Sequence, residues 1–139
     1  MKLEPLFAEF EGLEARDRLE LLIEFSDTLP AVSPQRAANP VPSECRVQEC
    51  QTAVDVWVDV SDGRVRLEAL VPRQSPTIRG LVALLVEGLN GARVDDVLAM
   101  PDDILEPLGL AETLGMTRQH GTRGLVAAIK RRTRAAETA

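Results

Sequence analysis

Between residues 54 and 71 the chain alternates with little exception, and that alternation limits what it can fold into. Val54, Val56, Val58 and Val60 share one parity, while Asp55, Trp57 and Asp59 share the other. Successive side chains of an extended strand point to opposite faces, so a period of two marks a strand with one face on a core. Asp62-Gly63 follows, a dipeptide that accepts the left-handed backbone of a two-residue hairpin turn. Val65, Leu67, Ala69 and Val71 then alternate with Arg66 and Glu68. The spacing predicts an antiparallel hairpin over residues 51–71. Its apolar face needs cover from elsewhere in the chain, because an isolated hairpin is marginal in water.

Helical periodicity supplies that cover. In residues 14–29, Leu19, Leu22, Ile23 and Leu29 recur at helical spacing, with Leu21 and Phe25 widening the stripe until Pro30 ends it. A shorter helical turn is expected at residues 4–11. Pro30, Pro34, Pro40 and Pro42 mark residues 30–43 as a surface crossing. Residues 77–90, TIRGLVALLVEGLN, are apolar on almost every side, which predicts a buried central helix closed by Asn90-Gly91. Short helical turns punctuated by Pro101, Pro107 and Gly109 follow, and a last helix is expected from Thr122, with Leu125, Ala128 and Ile129 inward. Helices around a hairpin, without βαβ alternation, predict an α+β fold: a small antiparallel β-sheet with helices packed on it. With 139 residues, the expectation is one domain over 1–139.

Charge excludes some roles. The net charge of −6 argues against nucleic acid as a main partner, since a backbone binder needs a basic face. The distribution is uneven. Residues 1–30 carry eight acids, whereas residues 118–134 carry Arg118, Arg123, Lys130, Arg131, Arg132 and Arg134 with no acid. Such ends suit solvated helix faces or docking on a protein. No stretch is long and apolar enough for a membrane span or a signal peptide, so the expected compartment is the cytoplasm, where thiols stay reduced.

The chemical inventory is small. There is one histidine, His120, expected as a surface or capping residue. Cys45 and Cys50 are spaced C-x4-C, wider than the C-x2-C chelate, and with His120 they reach only three ligands, so no metal and no cofactor is expected. The glycines form no nucleotide-binding pattern. Asp95-Asp96 and Asp102-Asp103 read as helix-start caps. Cys45, in the polar stretch PSECRVQ, reads as an incidental thiol. Cys50 lies where a loop becomes a strand, and the residues alone leave two readings open: a buried small hydrophobe or a nucleophile. By strand parity Cys50 and Thr52 share the valine face, which predicts a largely buried thiol.

RVQECQTAV, then the hairpin, TIRGLVALL, NGARVDDVLAM, LGLAETLGMT and RGLVAAIKR, taken in that order from about residue 14 to 133, resemble the SufE-type sulfur acceptors of iron–sulfur cluster assembly. The resemblance implies a SufE/NifU (IscU-like) fold. It also implies a function: accepting a persulfide from a cysteine desulfurase, stimulating that enzyme, and passing the sulfur to an Fe–S scaffold. The acceptor is the cysteine before Gln-Ser/Thr, here Cys50. Glu49, Gln51, Thr52, Arg79 and Arg123 are then the expected partner-contacting residues. The partner is a SufS-like desulfurase carrying its own pyridoxal phosphate, and the acceptor is a monomer or homodimer that binds no cofactor. Departures from the family pattern are Glu49 where Gly is common, Thr52 for Ser, and Asp55 where tryptophan is usual, with Trp57 two residues on. The alternatives are a Cys45/Cys50 redox switch and a non-catalytic adaptor of a desulfurase.

Overall fold

The computed structural model describes residues 1–138. In chain order its elements are α1 (Leu3–Ala8), α2 (Ala15–Phe25), α3 (Pro34–Ala37), β1 (Asp55–Ser61), β2 (Arg64–Leu70), α4 (Pro76–Leu89), α5 (Val94–Ala99), α6 (Leu105–Leu108) and α7 (Ala111–Thr138). Single 3₁₀ turns lie at Ser26–Thr28 and Ser43–Cys45. This is an α+β architecture, helices on a small antiparallel sheet.

The sheet is the β1–β2 hairpin, with Val60 opposite Val65 and Ser61 opposite Arg64. Asp62 and Gly63 both take positive φ, 54° and 72°, as a turn of this hand requires. In β2, Val65, Leu67 and Ala69 are buried while Arg64, Arg66 and Leu70 are exposed, so its alternation is intact. In β1 it is not. Asp55 is buried together with Val56, and Val58 and Val60 are only half-buried. The strand also begins at Asp55 rather than at residue 51, and the chain bends at Gln51 and Thr52. Asp55 departs from the pattern because the guanidinium of Arg46 donates to its carboxylate at 3.1 Å, which lets a charged side chain go inside.

Helix α4 is the hub, with α1 and α2 on one side and β2 on the other, which explains why it is apolar all round. Ten of its residues are buried, from Ile78 to Leu89. A Cβ at Gly80 would lie 2.1 Å from the Leu22 carbonyl oxygen, and one at Gly88 would lie 2.7 Å from Leu3 Cδ1. These two positions let α2 and α1 press directly onto the α4 backbone. The crossing at residues 30–43 is more than a surface run. It contains α3, and Arg36 pairs with Asp59 at 2.9 Å and with Glu68 while stacking over Trp57 at 5.5 Å. The sheet thus has helix cover on its apolar face, while Arg36 reaches over part of the other.

Two boundaries differ from the sequence expectation. The helix expected over 14–29 ends at Phe25 and passes through a 3₁₀ turn. The last helix starts at Met116 instead of Thr122, and the non-helical backbone of Gly115 (φ 82°, ψ 175°) divides it from the short first part of α7 at 111–114. Of the aspartates expected as caps, Asp103 is one: its Oδ1 accepts from the N–H groups of Leu105 and Glu106 at 3.1 and 3.2 Å, whereas Asp95 and Asp96 lie in the first turn of α5 without capping it and Asp102 pairs with Lys130 at 2.7 Å. No helix among the described residues is long and apolar enough to cross a membrane.

Candidate functional site

Residues 47–54 form a loop tied at its neck. Val47 N–H donates to the Val54 carbonyl at 2.9 Å, and the Arg46–Asp55 pair stands just outside it. Val47 and Val54 are fully buried, so the neck is anchored in the core. Inside the loop, Cys50 N–H donates to the Val47 carbonyl at 3.2 Å, which tightens the turn that presents Cys50. Helix α7 holds the neck from outside. One Arg132 guanidinium donates to the carbonyls of Cys45 (2.9 Å), Val56 (2.8 Å) and Arg46 (2.9 Å). An arginine fork can serve several carbonyls together.

Cys50 sits on this loop, half-buried, with its Sγ 3.8 Å from the Gly121 carbonyl oxygen, a long sulfur hydrogen bond. The burial foreseen from strand parity is partial, and its cause is different: Cys50 precedes the strand and is covered by α7. Beside the thiol lies a cavity of about 500 Å³. The loop supplies Glu49, Gln51 and Thr52 to its wall, and α4 supplies Ile78. Helix α7 supplies Leu114, Met116, Arg118 and His120. The left-handed backbone at Gly115, easily adopted only by glycine, separates the turn carrying Leu114 from the helix that restarts at Met116. Gln119 bridges the break by donating to the Ala111 carbonyl at 2.8 Å. Met116 is left 79% exposed, far more than any other large apolar side chain described.

Electrostatics keep the thiol protonated at rest. Burial pushes the Cys50 thiol above its ordinary pKa, the Glu49 carboxylate raises it further, and Arg118 opposes both. For Glu49, burial works against ionisation. Its own backbone N–H, the Arg131 guanidinium at 3.1 Å and the charge of Arg132 nevertheless hold its carboxyl below the usual range. Cys45 is buried rather than placed in a polar setting. Its 3₁₀ turn folds back above the neck, and burial raises its thiol pKa as well. Cys45 does not line the cavity, and both cysteines are free thiols.

The expected site residues divide into two groups. Glu49, Cys50, Gln51 and Thr52 lie together at the cavity, with Gln51 exposed and Thr52 half-buried. Arg79 lies elsewhere, donating to the Ser26 carbonyl at 2.8 Å and the Val71 carbonyl at 2.7 Å, which joins α4 to the chain on either side. Arg123 pairs with Asp103 at 3.1 Å, also away from the cavity. The cavity instead gathers Met116, Arg118 and His120, and the loop gathers Arg131 and Arg132. His120 is exposed, as expected of a surface histidine, yet it faces the same space as Cys50. Among the described residues, no three His, Cys, Asp or Glu side chains gather as metal ligands do. A sheltered thiol beside an open cavity, without a base-and-orienter constellation, suits attack on a sulfur brought to it better than hydrolysis.

The family model of the Fe-S metabolism associated domain, SufE, matches residues 4–133. An uncharacterized SufE-like protein of Mycobacterium tuberculosis is 37% identical over 139 residues, covering 97% of this chain and 93% of that protein. A chloroplastic quinolinate synthase of Nicotiana tabacum is 34% identical over 140 residues, covering 96% of this chain but 18% of that larger protein. The solution structure of a hypothetical protein from Thermus thermophilus superposes with a TM-score of 0.83 at 31% identity, covering 99% of this chain and 97% of that one.

Proposed function

The chain belongs to the SufE family of Fe-S metabolism associated domains, and from that premise we propose that it is a sulfur carrier whose acceptor is Cys50. It takes a persulfide sulfur from a cysteine desulfurase, stimulates that enzyme by relieving it of its product, and passes the sulfur to an iron–sulfur scaffold. The Cys50 thiolate attacks the outer sulfur of the donor cysteine's persulfide. A bond forms between Cys50 Sγ and that sulfur, the donor's S–S bond breaks, and the donor leaves as a thiolate that takes up the proton Cys50 gave up. No net oxidation occurs, so no redox cofactor is needed. The reading suits a reducing cytoplasm, where the acceptor thiol stays free between transfers.

The observation that carries it is the Cys50-Gln51-Thr52 motif on a tied loop, with a half-buried thiol opening onto a cavity roomy enough for an added sulfur. The raised pKa of the resting thiol supports the reading too, because a protonated thiol spares itself random oxidation until a partner changes its surroundings. The test incubates the protein with a cysteine desulfurase and cysteine, without reductant, and weighs the proteolytic peptides. One added sulfur is expected on the Cys50 peptide, and Cys50→Ala is expected to abolish stimulation while Cys45→Ala retains it. Sulfur carried on Cys45 alone, or full stimulation by Cys50→Ala, overturns the assignment.

A further inference from the structure

Glu49 stands where the resemblance leads one to expect glycine, and its surroundings give the substitution a use. The carboxylate pairs with Arg131 of α7 at 3.1 Å. Its stem lies against Gly124 of the same helix, so closely that a Cβ there would fall 2.3 Å from Glu49 Cβ and 2.7 Å from its Cγ. One turn earlier, the Gly121 carbonyl receives the Cys50 thiol. The glutamate and the bare helix position form a matched pair, a side chain added on the loop and a side chain absent from α7. Both contacts sit at the residue before the thiol, so any movement that frees Cys50 from α7 must first withdraw Glu49.

We infer that Glu49 is a positioning residue that latches the Cys50 loop shut: its ion pair with Arg131 and its fit against Gly124 hold the thiol against α7 until both are released. This rests on the reading of Cys50 as the reacting thiol, but it concerns when that thiol is reachable, not what it accepts. The pair is partly exposed at both ends, 31% for Glu49 and 60% for Arg131. Such a pair is weak and screened by salt, which suits a catch that opens on docking.

The test needs no desulfurase. The labelling rate of Cys50 by a bulky thiol reagent is followed in a Cys45→Ala background, with circular dichroism and melting temperature recorded for each variant. With rates compared at a pH above each variant's alkylation midpoint, so that the thiolate fraction is equal, Glu49→Gln and Arg131→Ala are each expected to speed labelling about two- to fivefold, as loss of a surface pair allows. The two together should do no more than one alone, and added salt should speed the parent but not either variant. Gly124→Ala should speed labelling by about tenfold while leaving the helix intact, since alanine favours helix over glycine. In a Glu49→Gly background, Gly124→Ala should change nothing, because the side chain it would strike is gone. Unchanged labelling in Glu49→Gln overturns the latch, as does an equal Gly124→Ala effect with and without Glu49. Neither result bears on whether Cys50 carries sulfur, which the peptide-mass experiment decides separately.

Discussion

Helix α4 receives other parts of the chain at two bare glycine positions and α7 receives one at Gly124, and the two kinds of contact differ in what fills them. At α4, Gly80 and Gly88 admit the Leu22 carbonyl and the Leu3 side chain, with Leu22, Leu81, Leu84 and Leu85 fully buried around them. At α7, Gly124 admits the stem of Glu49, while a Cβ at Gly121 would meet only the Glu49 carbonyl oxygen at an ordinary 3.8 Å, and the other partners are a thiol and partly exposed arginines, with an open cavity alongside. Burying apolar surface gives a contact worth several kcal/mol, while an exposed ion pair gives about 1 kcal/mol or less. One device therefore makes a permanent joint in the core and a releasable one at the site.

The strongest way to break the contrast is Gly80→Ala. Its Cβ meets a backbone oxygen that cannot step aside, so a loss of about 3 kcal/mol is expected, read as a lower denaturant midpoint at unchanged slope. An unmoved midpoint would remove the difference between the two helices. Next comes Arg132→Leu, which leaves three carbonyls without their donor. A cost of about 2 kcal/mol is expected, with faster Cys50 labelling because the neck of the loop loosens.

A pH series sharpens the α7 side alone. The folded Cys50 pKa is raised, so alkylation of the folded protein should switch on above the roughly 8.5 of an ordinary thiol. Glu49→Gln removes a negative neighbour and should move that midpoint downward. The linkage follows in sign: below the unfolded thiol's pKa both states hold the proton, and stability is lost as pH rises from there through the folded value. The carboxyl of Glu49 is depressed, so its contribution is present above the unfolded carboxyl pKa and fades as pH falls through the folded one. The smallest effect is expected from Arg16→Ala. Its pair with Glu20 is 88% and 61% exposed and holds no loop, so neither the midpoint nor Cys50 labelling should move.

The sequence was most legible where contacts are local. The alternation of β2, the Asp62-Gly63 turn and the buried α4 all follow from residue spacing. The start of β1 was not legible, because Asp55 goes inside only through Arg46 across the neck. Gly115 does stop the short helix that begins at Ala111, and the last helix restarts at Met116, ahead of Thr122, a start that the polar run 116–121 did not reveal. At the site, Cys50 and its neighbours were visible through the family pattern. Met116, Arg118 and His120 were not, since nothing in a linear sequence brings residues 116–121 against residue 50. Arg79 and Arg123 were expected as partner contacts from the resemblance, yet their guanidinium groups are engaged in contacts within the fold.

The tied neck of the Cys50 loop also sets a length. With Val47 and Val54 buried in the core, the loop can swing out only about those two points. Two residues, Gln48 and Glu49, lie between Val47 and Cys50, and a fully extended chain spans at most about 3.5 Å per residue step, so the Cys50 backbone can reach roughly 10 Å from its anchor with the sulfur a side chain's length beyond. A donor sulfur deeper than that in its own protein is out of range. The tether acts as a ruler, admitting only donors that bring their sulfur close to the surface or carry it on a mobile arm of their own.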